Sequence, residues 1–468
     1  MSEKSSMADS LEDGFYLDIL GQQPMLNNIY THVCLCFEVS DSSSYTAIFS
    51  RLQNGLGELA ASFPWIAGQV INEGAGDGNT GVFKVKSFKT PQLIINDLRQ
   101  DASMPSMSEI KAARFPFRML DETVLGPRKT LPDRIADDFP VLILQANIIT
   151  GGLLLDILGE HGMMDIAGQD QIIHLLAKAC RSEPFTSDEL SAGNLSRRTI
   201  IPIFEDDYAP GPELKHQIVK KIQGVRSSDE EKQAATPPRC RWVYFGFHIK
   251  ALAAIKSLAM NNKGNCTQYV TTNDALCAFI WQSIIRSRMS RLGPEMLTTT
   301  FARTVDVRRY LGIPKEYPGI LQNMTYNSYT TQQLVQDETL GSIASDLRAA
   351  VDPDTCDISF RTRAMATLLE RSPDKNVISM TASLDQSMNI IMSSWASIKC
   401  PTEDFGPELG QPEAVRIPSF LPVEGMFYLL PEMERYGGGL IAGLCIRDDD
   451  LEDLKEDVEW TKYATYIG

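Results

Sequence analysis

Residues 160–170 read EHGMMDIAGQD, and His161 and Asp165 are the pair whose types and spacing suit chemistry. A hydroxyl is a poor nucleophile near neutral pH. A positioned neutral imidazole can take its proton as it attacks a thioester, a contribution of about 10²–10⁴-fold. A carboxylate four residues on can pin the loop of that base by pairing with an arginine elsewhere. The plainer roles of the same residues are structural. Asp165 stands where a helix N-cap belongs, a role worth roughly 1 kcal/mol. Gly162 gives the backbone freedom beside His161, and Met163 and Met164 suit core filling. The nucleophile elbow GxSxG is absent, which argues against a covalent hydrolase. No metal-ligand spacing surrounds His161, so no metal is expected. Direct transfer between two bound substrates is the economical route.

These residues need a strand before them and a helix after them. VLILQANIITGGLLLDILG (141–159) reads as two strands joined at Gly151–Gly152. IAGQDQIIHLLAKACR then puts Ile166, Ile172, Ile173, Leu176 and Cys180 on one helical stripe. Upstream, THVCLCFEV (31–39) alternates Val33, Leu35, Phe37 and Val39 on one strand face. Ser43 to Phe63 carries Ile48, Phe49, Leu52, Leu56 and Leu59 at helical spacing. EGAGDGNTG (73–81) reads as a hairpin turn and not as a phosphate cradle, because no helix opens after it. Residues 201–239 are proline-rich and charged, the character of a crossover linker. RWVYFGFHI then reads as a strand and LAAIKSLAM as a helix. TTNDALCAFIWQSIIRSRM reads as a stronger helix capped by Thr272 or Asn273. Strands and helices on both sides of the linker predict an α/β (α+β) protein of two lobes, with residues 1–14 as a disordered tail, 15–200 as the first lobe and 240–468 as the second.

Composition narrows the partners. The chain has 468 residues and a net charge of −16, from 44 Lys and Arg against 60 Asp and Glu. That argues against nucleic acid and anionic membrane surfaces. An anionic cofactor would need a local basic patch. The nine scattered cysteines contain no CxxC. Reduced thiols in a cytoplasmic protein fit them. The polar, acidic start is no signal peptide. The greasiest stretch, 141–158, is broken by Gln145, Asn147, two glycines and Asp156, so no membrane helix is expected.

HGMMDIAG is joined downstream by NDALCAFIW (273–281), TVDVRR (304–309), YPGILQN (317–323), SSW (393–395) and DFG (404–406). That ordered set resembles the BAHD family of CoA-dependent acyltransferases and, within it, the fungal branch that acetylates the C-3 hydroxyl of trichothecene sesquiterpenoids. The resemblance runs from about residue 15 to the end. It implies two chloramphenicol-acetyltransferase-like lobes with a channel between them, entered by acetyl-CoA from one mouth and a small-molecule alcohol from the other. It implies His161 as the base and Asp165 as structural support paired with Arg308. It puts Trp395 at the acyl centre, where its indole N–H could donate to the oxyanion. Asp404 and Gly406 would be structural residues of a loop that in the family reads DFGWG and here reads DFGPELG, with Pro407 and Glu408 departing. A monomer is expected. Two alternatives keep the fold: transfer to another hydroxyl or another fungal metabolite, and a catalytically silent metabolite-binding protein. A peptide condensation unit favours a second histidine just before the base, where this chain has Glu160.

Overall fold

The computed structural model describes residues 14–86, 89, 91, 93–132, 139–220, 238–261, 269–293 and 296–468. The predicted tail, apart from residue 14, and most of the predicted linker's charged second half lie outside the described residues.

The first half of the chain supplies β1 (Tyr30–Glu38), β2 (Leu93–Asp97), β3 (Leu142–Ile149) and β4 (Gly152–Glu160). The second half supplies β5 (Cys240–Phe247), β6 (Thr298–Asp306), β7 (Gln322–Thr330), β8 (Ile390–Ser394), β9 (Ala414–Arg416), β10 (Met426–Pro431), β11 (Leu440–Arg447) and β12 (Thr465–Tyr466). Among the described residues these form a five-stranded sheet, β9-β1-β4-β3-β2, and a seven-stranded sheet, β7-β6-β8-β10-β11-β5-β12. Strand β9 therefore crosses back to pair with β1, Val415 opposite Leu35. The 73–81 stretch is a hairpin turn as read, joining Gln69–Glu73 to Val82–Lys86 in a small third sheet.

Among the described residues the helices of eight residues or more are α1 (Tyr45–Ser62), α2 (Ile166–Cys180), α3 (Ile249–Asn261), α4 (Thr272–Leu292), α5 (Leu340–Ala349), α6 (Ile358–Arg371) and α7 (Asp448–Glu456). Helices α1 and α2 pack together over the five-stranded sheet. Val33, Leu35, Phe37 and Val39 share that core, as their alternation predicts. The opposite face of β1, with Cys34 and Cys36, is buried as well, in a separate cluster. Burial on both faces explains why β3 and β4 read as nearly continuous apolar runs. They are joined where Gly151 adopts a positive φ of 78°, a conformation that glycine takes without strain. Helices α3, α4, α5 and α7 pack over the seven-stranded sheet. The cap of α4 is Thr271, one residue before the predicted pair; its side chain and Asp274 form a reciprocal capping box. Periodicity places a helix well but fixes its first residue poorly. Gly437, Gly438 and Gly439, all at positive φ, form the hairpin loop between β10 and β11.

Candidate active site

The position of His161 and its loop follows from how β4 ends. His161 directly follows β4, and its backbone N–H donates to the Ile29 carbonyl at 2.9 Å. Its Nδ1 lies 3.2 Å from the Met164 carbonyl oxygen. That oxygen can only accept, so Nδ1 carries the proton and Nε2 holds the lone pair. Nε2 lies 3.4 Å from the side-chain nitrogen of Gln322, which donates to it. Burial pushes the imidazole pKa below its usual value, against the Met164 carbonyl and the Asp165 charge. The ring is therefore neutral near pH 7, the form a general base needs. Gly162 is required for close approach and not for backbone freedom: a Cβ there would sit 2.5 Å from Asn27 Oδ1. Glu160 is fully buried. Burial raises its pKa to about 8 while the Met163 N–H donates to it at 2.8 Å.

Asp165 caps α2, accepting from the Gly168 N–H at 2.8 Å. Gly168 itself lies where a Cβ would approach the Pro318 carbonyl to 2.2 Å, so the helix start sits hard against the segment that precedes β7. The Arg308 guanidinium meets Asp165 in a two-pronged pair at 2.9 and 3.0 Å, and the Leu321 N–H adds a fourth bond at 2.8 Å. Arg308 is saturated, because the carbonyls of Tyr317 and Gly319 and the Asp306 carboxylate take its other donors. Both partners are buried. The carboxylate thus ties the loop of His161 in the first half to the β6–β7 connection in the second.

Two cavities meet beside His161. One, of about 350 Å³, includes His161 and Trp395 and is walled mainly by apolar side chains, among them Leu26, Met324, Met380, Phe420 and Met426. The other, of about 300 Å³, is lined mostly by polar residues, among them Asp165, Asp170, Ser394, Ser397, Lys315 and Lys399. Ile166, Thr304, Gln322 and Ser393 line both. The polar cavity is less basic than expected for an anionic ligand, with two lysines beside three aspartates. Those aspartates are engaged within the protein, Asp165 and Asp306 by Arg308 and Asp170 by the backbone N–H groups of Lys399 and Cys400. None of the residues lining either cavity is a cysteine.

Trp395 is buried, packs edge-on to Tyr428 at 5.5 Å, and donates its indole N–H to Ser393 Oγ at 3.3 Å. Asp404 and Gly406 line neither cavity. Asp404 accepts from the Gly406 N–H at 2.8 Å within their own loop. The departure at Glu408 has its own partner: Arg51 of α1 grips that carboxylate at 2.7 and 3.0 Å and donates to the Cys180 carbonyl at the end of α2. Gln322, Thr304 and Ser393 escaped the reading of the sequence as site residues. They lie on adjacent strands β7, β6 and β8, and only the strand register brings them to one place.

Residues 29–180 match the trichothecene 3-O-acetyltransferase-like N-terminal domain, and residues 109–461 match the Transferase family. The chain is 48% identical to O-acetyltransferase dmxR13 of Cryptosporiopsis sp., over 97% of this chain and 98% of that one. It is 45% identical to trichothecene 3-O-acetyltransferase TRI101 of Fusarium sporotrichioides, over 100% and 99%. The crystal structure of that Fusarium enzyme with coenzyme A and T-2 superposes with a TM-score of 0.89, covering 97% of this chain and 99% of the other. The two-lobed acyltransferase architecture expected from the motifs is therefore the fold of this protein. With the family model and the full-length relatives in agreement, the chain belongs to the Transferase family of acyltransferases, alongside the fungal trichothecene 3-O-acetyltransferases.

Proposed function

We propose that this protein acetylates the C-3 hydroxyl of a trichothecene with acetyl-CoA, by direct transfer with His161 as general base. The observation that carries the reading is the neutral His161 Nε2 lying where a mostly apolar cavity meets a polar one. A rigid, largely apolar polycycle fits the first cavity, and the polar arm of acetyl-CoA fits the second. The Fusarium relative was solved with coenzyme A and T-2, which supports the same assignment here. In the reaction, Nε2 takes the hydroxyl proton as the oxygen attacks the thioester carbon. The tetrahedral intermediate collapses with loss of the thiolate, which recovers the proton from His161 as coenzyme A leaves. Asp165 and Arg308 hold the loop, Trp395 sits at the acyl centre, and Asp404 and Gly406 shape a loop outside the cavities. On this reading residues 15–200 and 240–468 carry the two lobes, with β9 of the second lent to the sheet of the first, and a crossover over 201–239 joins them. The enzyme works in the cytoplasm as a monomer.

A second reading keeps the chemistry and changes the acceptor. It is favoured by the 48% relative, whose name specifies no trichothecene, and by a cavity wall with four methionines, Met25, Met324, Met380 and Met426. Methionine walls adapt to differently shaped ligands. The test is purified protein with acetyl-CoA and a panel of alcohols, followed by mass spectrometry and steady-state kinetics. A ternary mechanism gives intersecting double-reciprocal lines. Parallel lines, or an acetylated cysteine, would overturn direct transfer.

A further inference from the structure

Of the polar side chains where the cavities join, Gln322 is the one bonded to the base. It opens β7; Thr304 is on β6 and Ser393 on β8, three neighbouring strands of the seven-stranded sheet. Met324 and Tyr326 follow Gln322 at two-residue spacing, as Ala302 precedes Thr304 and Ile391 precedes Ser393. Ala302, Met324 and Ile391 form one small cluster, so all three strands turn this same face toward the cavity. The Gln322 amide N–H, at 3.4 Å from His161 Nε2, occupies the position an acceptor hydroxyl must take to lose its proton to that nitrogen. The indole of Trp395, the donor expected for the oxyanion, is engaged by Ser393 Oγ.

We propose that Gln322 is a catalytic residue with two successive partners: it donates to the lone pair of His161 in the free enzyme, and to the tetrahedral oxyanion once an acceptor hydroxyl has taken its place. Arrival of the hydroxyl breaks the Gln322–His161 bond and forms an O–H···Nε2 bond. The hydroxyl proton then moves to Nε2 and the oxygen–carbon bond forms. The negative charge collects on the former thioester oxygen, within reach of the freed amide. Gln322 gains and loses no proton. Trp395 acts through Ser393, fixing that hydroxyl at the same junction. A donor of this kind accelerates transfer by about 10²–10³-fold when the oxyanion forms within its reach.

The inference rests on the acyl-transfer reading with His161 as base, so the test separates the two. Gln322→Leu and His161→Ala are compared with wild type, using acetyl-CoA and whichever alcohol wild type turns over. Gln322→Leu lowers kcat by about 10²-fold, changes KM for either substrate less than threefold, and leaves the melting temperature near wild type. Independently of turnover, an NMR titration follows the His161 imidazole. Loss of the amide donor, which favours the neutral ring, raises its pKa in Gln322→Leu. An unchanged kcat in Gln322→Leu while His161→Ala is inactive overturns the role of Gln322 and spares the reading of the site. Loss confined to KM, or an imidazole titration identical to wild type, overturns it as well. Full activity in His161→Ala sinks the acyl-transfer reading itself.

Discussion

Removing either partner of the Asp165–Arg308 pair destabilises the protein by about 4 kcal/mol, because each leaves the other's charge buried. The magnitude comes from the bonds. Asp165 accepts from both guanidinium nitrogens, from its own helix at Gly168 and from Leu321. Asp165→Ala loses the cap and strands the Leu321 N–H, while Asp306, half-exposed, remains beside Arg308 as partial relief. Arg308→Ala leaves the carboxylate with only two backbone donors. At roughly 2 cal/mol/K of unfolding entropy per residue, a chain of this length loses about 1 °C for each kcal/mol, so each single variant melts about 4 °C lower. The double variant falls short of the sum by about 2–3 kcal/mol, because the second substitution removes a charge the first had stranded. Asp165→Asn separates the pair from the cap. Asparagine caps a helix as well as aspartate but places an N–H₂ among donors, so it is nearly as destabilising as alanine. Calorimetry on wild type and the four variants checks this. Strictly additive shifts, or a harmless asparagine, would refute the reasoning and leave Asp165 as a cap alone.

His161→Ala lowers kcat by at least about 10²-fold with the fold intact, read by acetyl transfer and circular dichroism. In wild type, burial holds this imidazole's pKa down, so the acid limb of kcat/KM falls below the ordinary histidine value of about 6.5; a midpoint at or above that value contradicts the buried, neutral base. Glu160, whose folded pKa of about 8 exceeds its unfolded value, costs stability as pH rises from the unfolded carboxylate range through 8. Glu160→Gln should therefore gain on wild type in thermal midpoint between pH 6 and 9, and a pH-independent difference speaks against a protonated Glu160. Glu408→Ala removes a quarter-exposed ion pair worth at most about 1 kcal/mol and leaves kcat unchanged; a large fall in kcat would tie the DFGPELG loop to catalysis.

The site was legible where its logic is local. A strand, a histidine, a glycine and a capping aspartate follow one another within six residues, and the helix after them announces itself by period. Arg308 lies 143 positions from Asp165, and its pairing came through the resemblance and not through spacing. Gln322, Thr304 and Ser393 lie within the quoted stretches YPGILQN, TVDVRR and SSW, but their meeting depends on the register of three strands, which those stretches do not reveal. The same cause hid β9: three residues, Ala414–Arg416, are too few to show alternation, yet they pair across to β1. Glu408 looked like a defect in a loop motif because its partner, Arg51, lies 357 residues earlier. The expected basic mouth was an inference from ligand charge. Two lysines at the polar cavity meet it only thinly, with the nearby carboxylates already bound inside the protein.

On the proposed function the hydroxyl acetylated is the one at C-3 of a trichothecene, with His161 as its base. The direct measurement is the structure by NMR of the product formed from acetyl-CoA and a 3-hydroxy trichothecene carrying other free hydroxyls, with His161→Ala run in parallel. Wild type gives a single 3-O-acetyl product, and the variant reacts more slowly by about 10²-fold or more. An acetyl group at another carbon, or an equal yield from His161→Ala, would contradict it.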